Sequence, residues 1–211
     1  MGLRKRYKKF LEKFKITLFR VLFILTLRTH AFTKGIFFIK GKVEDKYLDY
    51  IKECILTYVL KNPRRKIFIL IDSGGGSVEA ALNFYDFIKG LNVDTTCIVV
   101  GKCFSAALTI LAAGKRRLSL KHSKFFFHQM IMEMDIDNLC DKERCFSIKM
   151  EEYDKISEFV YELQGKEFAI EREVLVKLRS DGKDYNKKLF ADEALSLGVI
   201  QEIVDRLPFV I

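Results

Sequence analysis

Three segments of this chain end an apolar run with residues that can do chemistry. The first is Ser73-Gly74-Gly75-Gly76-Ser77, directly after KIFILID (66–72). Consecutive glycines admit positive φ and let the backbone approach a ligand closely. Their N–H groups would open a helix, where an anion can be held. A phosphate loop would close on Gly-Lys-Ser/Thr, which this turn lacks, and a plain tight turn uses the same glycines. The second segment is Gly101-Lys102-Cys103-Phe104-Ser105-Ala106-Ala107. Ser105 lies between a strand-like run and an apolar helix-like run, and the small residue after it leaves a backbone N–H open toward substrate. Serine also suits a helix N-cap for stability alone. The third is His128, after Lys124-Phe125-Phe126-Phe127. A lone histidine after a strand is more often structural than catalytic. In this order, however, the three segments make an anion-stabilising turn, a nucleophile and a general base.

Those residues can cooperate only if the elements before them end at one place. GIFFIKGKV (35–43) reads as a strand. Tyr47, Leu48, Ile51, Cys54, Ile55, Tyr58 and Val59 then recur at helical spacing, and Asn62-Pro63 stops that helix. Residues 66–72 and 95–100 read as strands buried on both faces. Between them, Val78, Ala81, Leu82, Tyr85 and Ile88 mark a helix, with Ser77 as its cap and Gly90 as its close. AALTILAA (106–113) is a short apolar helix ended by Gly114. Strands are expected at 117–120 and 124–128. A long helix is expected over 142–168, with Ile148, Ile156, Phe159, Val160 and Leu163 on one face. Helices at 170–179 and 191–197 and a strand at 199–204 complete the chain. Alternating strands and helices with doubly buried strands predict an α/β fold with parallel pairing. Strand ends in such a sheet can converge on one cleft.

Composition narrows the alternatives. The net charge of +9 comes from the first forty residues, which hold eleven Lys/Arg and one acid, Glu12. The remainder is nearly balanced, so the body offers no basic footprint for nucleic acid. Five cysteines, none in a C-x-x-C pair, fit buried thiols in a reducing compartment. No histidine has metal-ligand spacing to a cysteine pair, so no metal is expected. Residues 4–15 are basic, and 16–27 are apolar but interrupted by Arg20. At ~1.5 Å per residue that run reaches about 20 Å, short of a hydrocarbon core. The chain therefore divides into a basic, partly apolar segment at 1–34 and a body at 35–211. The segment suits targeting, assembly or, through residues 1–30, contact with an anionic membrane surface.

The motifs together resemble the Clp-protease proteolytic subunit family. IDSGGGSV (71–78), VGKCFSAALTILAAG (100–114) and FFHQ (126–129) look like its three site blocks. GKVED (41–45) and ADEALSLGVIQEI (191–203) are similar to flanking blocks, all in collinear order. The resemblance implies a crotonase-like α/β fold, a superhelix of repeated strand–strand–helix units with a projecting helical handle. It implies a serine endopeptidase with Ser105 as nucleophile and His128 as base. The N–H groups of Gly76 and Ala106 would form the oxyanion hole. The third triad position falls on Asn186, with Asp184 two residues earlier as the alternative. The family also implies heptameric rings, stacked as tetradecamers and homo- or hetero-oligomeric, fed unfolded polypeptide by an AAA+ unfoldase. The peptidase would need no cofactor, since ATP is used only by the partner.

This chain departs from the family pattern at Gly74, where proline is usual, and at Ala106-Ala107, where Met-Gly is usual. Residues 130–137 lack the glycines of the usual substrate-pairing strand. A weakly active or inactive ring subunit is one alternative reading. A membrane-associated enzyme of signal-peptide-peptidase type, with a Ser-Lys dyad, is the other. The expected location is cytoplasmic, with organellar or membrane-peripheral placement if residues 1–30 direct it.

Overall fold

The computed structural model describes residues 31–62, 66–130, 142–181 and 188–209. The expectations placed on residues 1–30 lie outside them. In chain order the elements are β1 (Ile36–Val43), α1 (Asp45–Lys61), β2 (Ile67–Gly76), α2 (Val78–Leu91), β3 (Thr95–Phe104), α3 (Ala106–Ala112), β4 (Arg116–Leu120) and β5 (Lys124–Phe126). There follow α4 (Lys142–Phe168), α5 (Arg172–Asp181), β6 (Leu189–Phe190), α6 (Ala191–Ser196) and β7 (Glu202–Val204). The main sheet runs β1-β2-β3-β4-β7, and every pairing along it is parallel. β5 leaves that path, pairing β3 in parallel and β6 in antiparallel fashion. The result is the expected α/β architecture with one antiparallel corner.

Burial explains why the central strands read as continuous apolar runs. Ile67, Ile69 and Ile71 of β2 and Cys97, Ile98 and Val99 of β3 are fully buried, because helices cover both faces of a parallel sheet. Every residue of α3 is buried; its alanines let it sit close to the strands it packs on.

Several boundaries differ from expectation, each for a local reason. β2 and β3 run on to Gly76 and Phe104, since pairing continues past their apolar stretches. The helix after β2 is not closed by Gly90. Asn92 takes the left-handed conformation (φ 48°) and ends it. The last strand starts at Glu202 because the Val199 and Ile200 N–H groups return to the Ala194 carbonyl and finish α6.

The long helix α4 has the expected span, and its expected face is met only in part: Val160 is buried and Leu163 packs against the core. Ile148 and Phe159 are exposed, and no described side chain from 146 to 159 is buried. The helix docks by its C-terminal part, through Val160, Gln164 and Phe168, spaced four apart on one face. It therefore projects as a handle. Glu167 pins its base: Tyr85 Oη donates to Glu167 Oε1 at 2.6 Å and Lys89 Nζ to Oε2 at 2.9 Å.

Burial opposes ionisation of the Glu167 carboxyl, but the Tyr85 and Lys89 bonds outweigh it and hold its pKa below the usual 4.5. A depressed carboxylate stabilises the fold above its unfolded pKa, and that contribution is lost as pH falls through the folded value. Glu167→Gln should thus cost about 1–2 kcal/mol at pH 7. The difference should shrink below about pH 4.5, as read by urea unfolding at several pH values.

Candidate active site

The three candidate segments all sit at carboxyl ends of parallel strands: the glycine turn on β2, Ser105 on β3 and His128 just past β5. β3 brings them together by changing partners. It pairs with β4 through Thr96–Val99, then with β5 through Lys102–Phe104. Its register against β2 slips in the same place, so that Ser73 faces Cys103. The Asp72 carboxylate accepts from Lys102 N at 3.2 Å and braces the slip. A ligand crevice is expected where neighbouring strands diverge. An open cleft lies at this point, with Ser105, Ala106 and His128 in its wall.

Ser105 is not the helix cap its position allows. Its φ of 54° and ψ of −125° lie outside the regions open to ordinary L-residues, and its side chain makes no cap bond. Such a conformation costs about 1–3 kcal/mol and persists only where surroundings impose it. The Ser105 N–H is tied to the Phe126 carbonyl at 2.9 Å, which locks the serine turn to the strand that leads to His128. A sharp strand-to-helix turn of this kind presents a serine hydroxyl to substrate.

The glycine turn lies against that serine turn. A Cβ on Gly75, whose φ is +90°, would come within 2.7 Å of the Phe104 carbonyl oxygen and 2.8 Å of the Ser105 Cβ. Gly76 adjoins β1, where a Cβ would collide with the Val43 carbonyl. Only glycine fits either place.

His128 stacks on Phe126, with ring centroids 5.3 Å apart. Its Nδ1 lies 2.5 Å from the Gln129 carbonyl oxygen. A carbonyl only accepts, so in the tautomer that makes this bond Nδ1 is the donor. Cys103, the neighbouring thiol, is fully buried, and burial pushes its pKa well above the ordinary value. It is a packing residue.

Asn186 and Asp184 lie outside the described residues. Of the other sequence candidates, the structure brings Ser105, Ala106 and His128 into one cleft and sets Gly75 and Gly76 beside it. Sequence reading missed the far wall, which α4 and α5 supply through Ser157, Val160, Gln164 and Arg179. A signal was there: Gln164 interrupts the buried stripe Val160–Phe168, and Arg179 falls four residues after buried Leu175.

A family model described as Clp protease matches residues 24–207. The chain belongs to the Clp protease family. Membership makes it a peptidase of the hydrolase class, and the α/β sheet with its handle helix is consistent with the crotonase-like fold of that family. The match spans the glycine turn, Ser105, His128 and the handle alike.

Proposed function

We propose that this chain is a serine endopeptidase, the proteolytic subunit of an ATP-dependent Clp-type protease that hydrolyses unfolded polypeptides. The observation that carries this reading is the constrained Ser105 turn, opening on the same cleft as His128. Ser105 Oγ attacks the scissile carbonyl while His128 Nε2 takes its proton. The N–H groups of Gly76 and Ala106 hold the resulting oxyanion. The C–N bond breaks as His128 returns the proton to the leaving amine. Water, activated by the same imidazole, then releases the acyl group from Ser105. The chemistry calls for no cofactor. ATP belongs to an AAA+ unfoldase that delivers the chain, and rings assemble in part through the exposed Ile148 and Phe159 of the handle.

The described cleft wall contains His128 and no lysine, which favours a Ser-His enzyme over a Ser-Lys dyad. Fluorophosphonate treatment of the purified protein tests the reading. Mass spectrometry should place the adduct on Ser105. Failure of assembled protein to label would overturn it in favour of an inactive ring subunit.

The third position is proposed for Asn186, which stands five residues before Ala191, as the family pattern has its third triad member. A neutral amide cannot stabilise the imidazolium as a carboxylate does, so Asn186→Asp should raise turnover by about 10-fold or more. If Asp184 fills the role, Asp184→Asn should cripple the enzyme and Asn186→Asp should change little. If neither changes the rate, the site works as a dyad, with the Gln129 carbonyl setting the tautomer.

A further inference from the structure

The cleft beside Ser105 changes character with depth. Ser105, His128 and Ser157 are partly exposed, whereas Leu108, Phe127 and Val160 form a buried apolar wall. Beyond it stand three polar residues that are almost wholly buried: Thr109 (0% exposed), Gln164 (2%) and Arg179 (4%). They form a chain. Arg179 Nη2 donates to Gln164 Oε1 at 3.0 Å, and Gln164 Nε2 donates to Thr109 Oγ1 at 3.3 Å. The Arg179 guanidinium also stacks on the Tyr161 ring, 3.9 Å from its centroid. No ion pair to Arg179 occurs among the described residues. Its described partners are the neutral Gln164 amide and Tyr161, through both hydroxyl and ring.

That is an unusual state for a buried cation. Guanidinium offers five N–H donors and matches a carboxylate in bidentate fashion. Removing it from water without an anion is costly. A cation held rigid by the uncharged Gln164 and Tyr161, in the wall of a cleft that also holds the proposed nucleophile, is prepared for an anionic group of the substrate.

We propose that Arg179 makes this cleft select an acidic side chain on the residue whose carbonyl Ser105 attacks, with glutamate preferred. The proposal rests on Ser105 being the nucleophile. Glutamate suits the cleft better than aspartate because its two methylenes can lie along Leu108, Phe127 and Val160 while its carboxylate reaches Arg179. Gln164 is the positioning residue: its Oε1 holds the guanidinium and Thr109 holds its amide.

Fluorogenic peptides that differ only at this residue, as Glu, Gln, Leu or Lys, test the idea with the full-length assembled protein. Glu should exceed Leu in kcat/KM by about 10-fold or more. Arg179→Gln should reverse that order while Ser105 remains open to fluorophosphonate labelling. Arg179→Lys, which keeps the charge without the planar fork, should fall between. The same peptides, binding to Ser105→Ala protein by fluorescence anisotropy, should show the same Glu preference without any turnover. Preference for Leu over Glu by the wild-type protein, in cleavage or in binding, overturns the proposal. Unlabelled Ser105 together with retained Glu-selective binding would instead sink the nucleophile assignment and leave the selectivity standing.

Discussion

Ser105→Ala should lower peptide turnover by about 10⁴- to 10⁶-fold, and His128→Ala should come close to it, since a nucleophile and its base fail as a unit. Steady-state hydrolysis of a fluorogenic peptide by assembled protein measures both. The structure adds a consequence for stability that a simple loss of hydroxyl would not give. Alanine keeps a Cβ, so Ser105→Ala retains the strain of φ 54°. Ser105→Gly relieves it and should be more stable than the alanine variant by about 1 kcal/mol, although equally inactive. Thermal melting of the two variants reads the difference. Turnover by Ser105→Ala within 10-fold of the parent would remove Ser105 from the mechanism. Equal melting of both variants would remove the strain.

Gly75→Ala should be the most damaging change that touches no reacting group. The new Cβ would press on the Phe104 carbonyl oxygen, the Ser105 Cβ and, at 3.2 Å, the Ala106 nitrogen. Two of these are backbone atoms that cannot swing away, and φ of +90° is unfavourable for any side chain. The serine turn must shift to make room. A displacement near 1 Å at a nucleophile costs about 10²-fold in turnover. Gly74→Ala supplies the control, because a Cβ there meets nothing within 4 Å. The two variants separate crowding of the serine turn from general loss of loop flexibility. Comparable activity in both would mean that the serine turn does not depend on the glycine beside it.

Some of the site was legible because the signals are local. Ser77 caps α2 as its position suggests, accepting from the Ala80 N–H at 3.1 Å. The 142–168 helix has its expected span. Other features needed partners distant in the chain. The outward turn of Ile148 and Phe159 is invisible to periodicity, which finds an apolar face without saying what it meets. The two-residue strand β6 has no pattern of its own and exists only through pairing with β5.

By itself the sequence determined the order of strands and helices, the glycine turn, and the candidate pair Ser105 and His128. Short-range rules govern all of these: helical and strand periodicity, capping, and the freedom of glycine. Tertiary structure alone decided that Ser105 is a strained turn residue rather than a cap, because its φ is imposed by neighbours on β2 and β5. It also decided that Arg179 reaches the cleft, through Gln164, which meets Thr109 across 55 positions of chain. Strand pairing and helix docking bring such residues together, and the free energy that holds them lies in contacts that no local window of sequence contains.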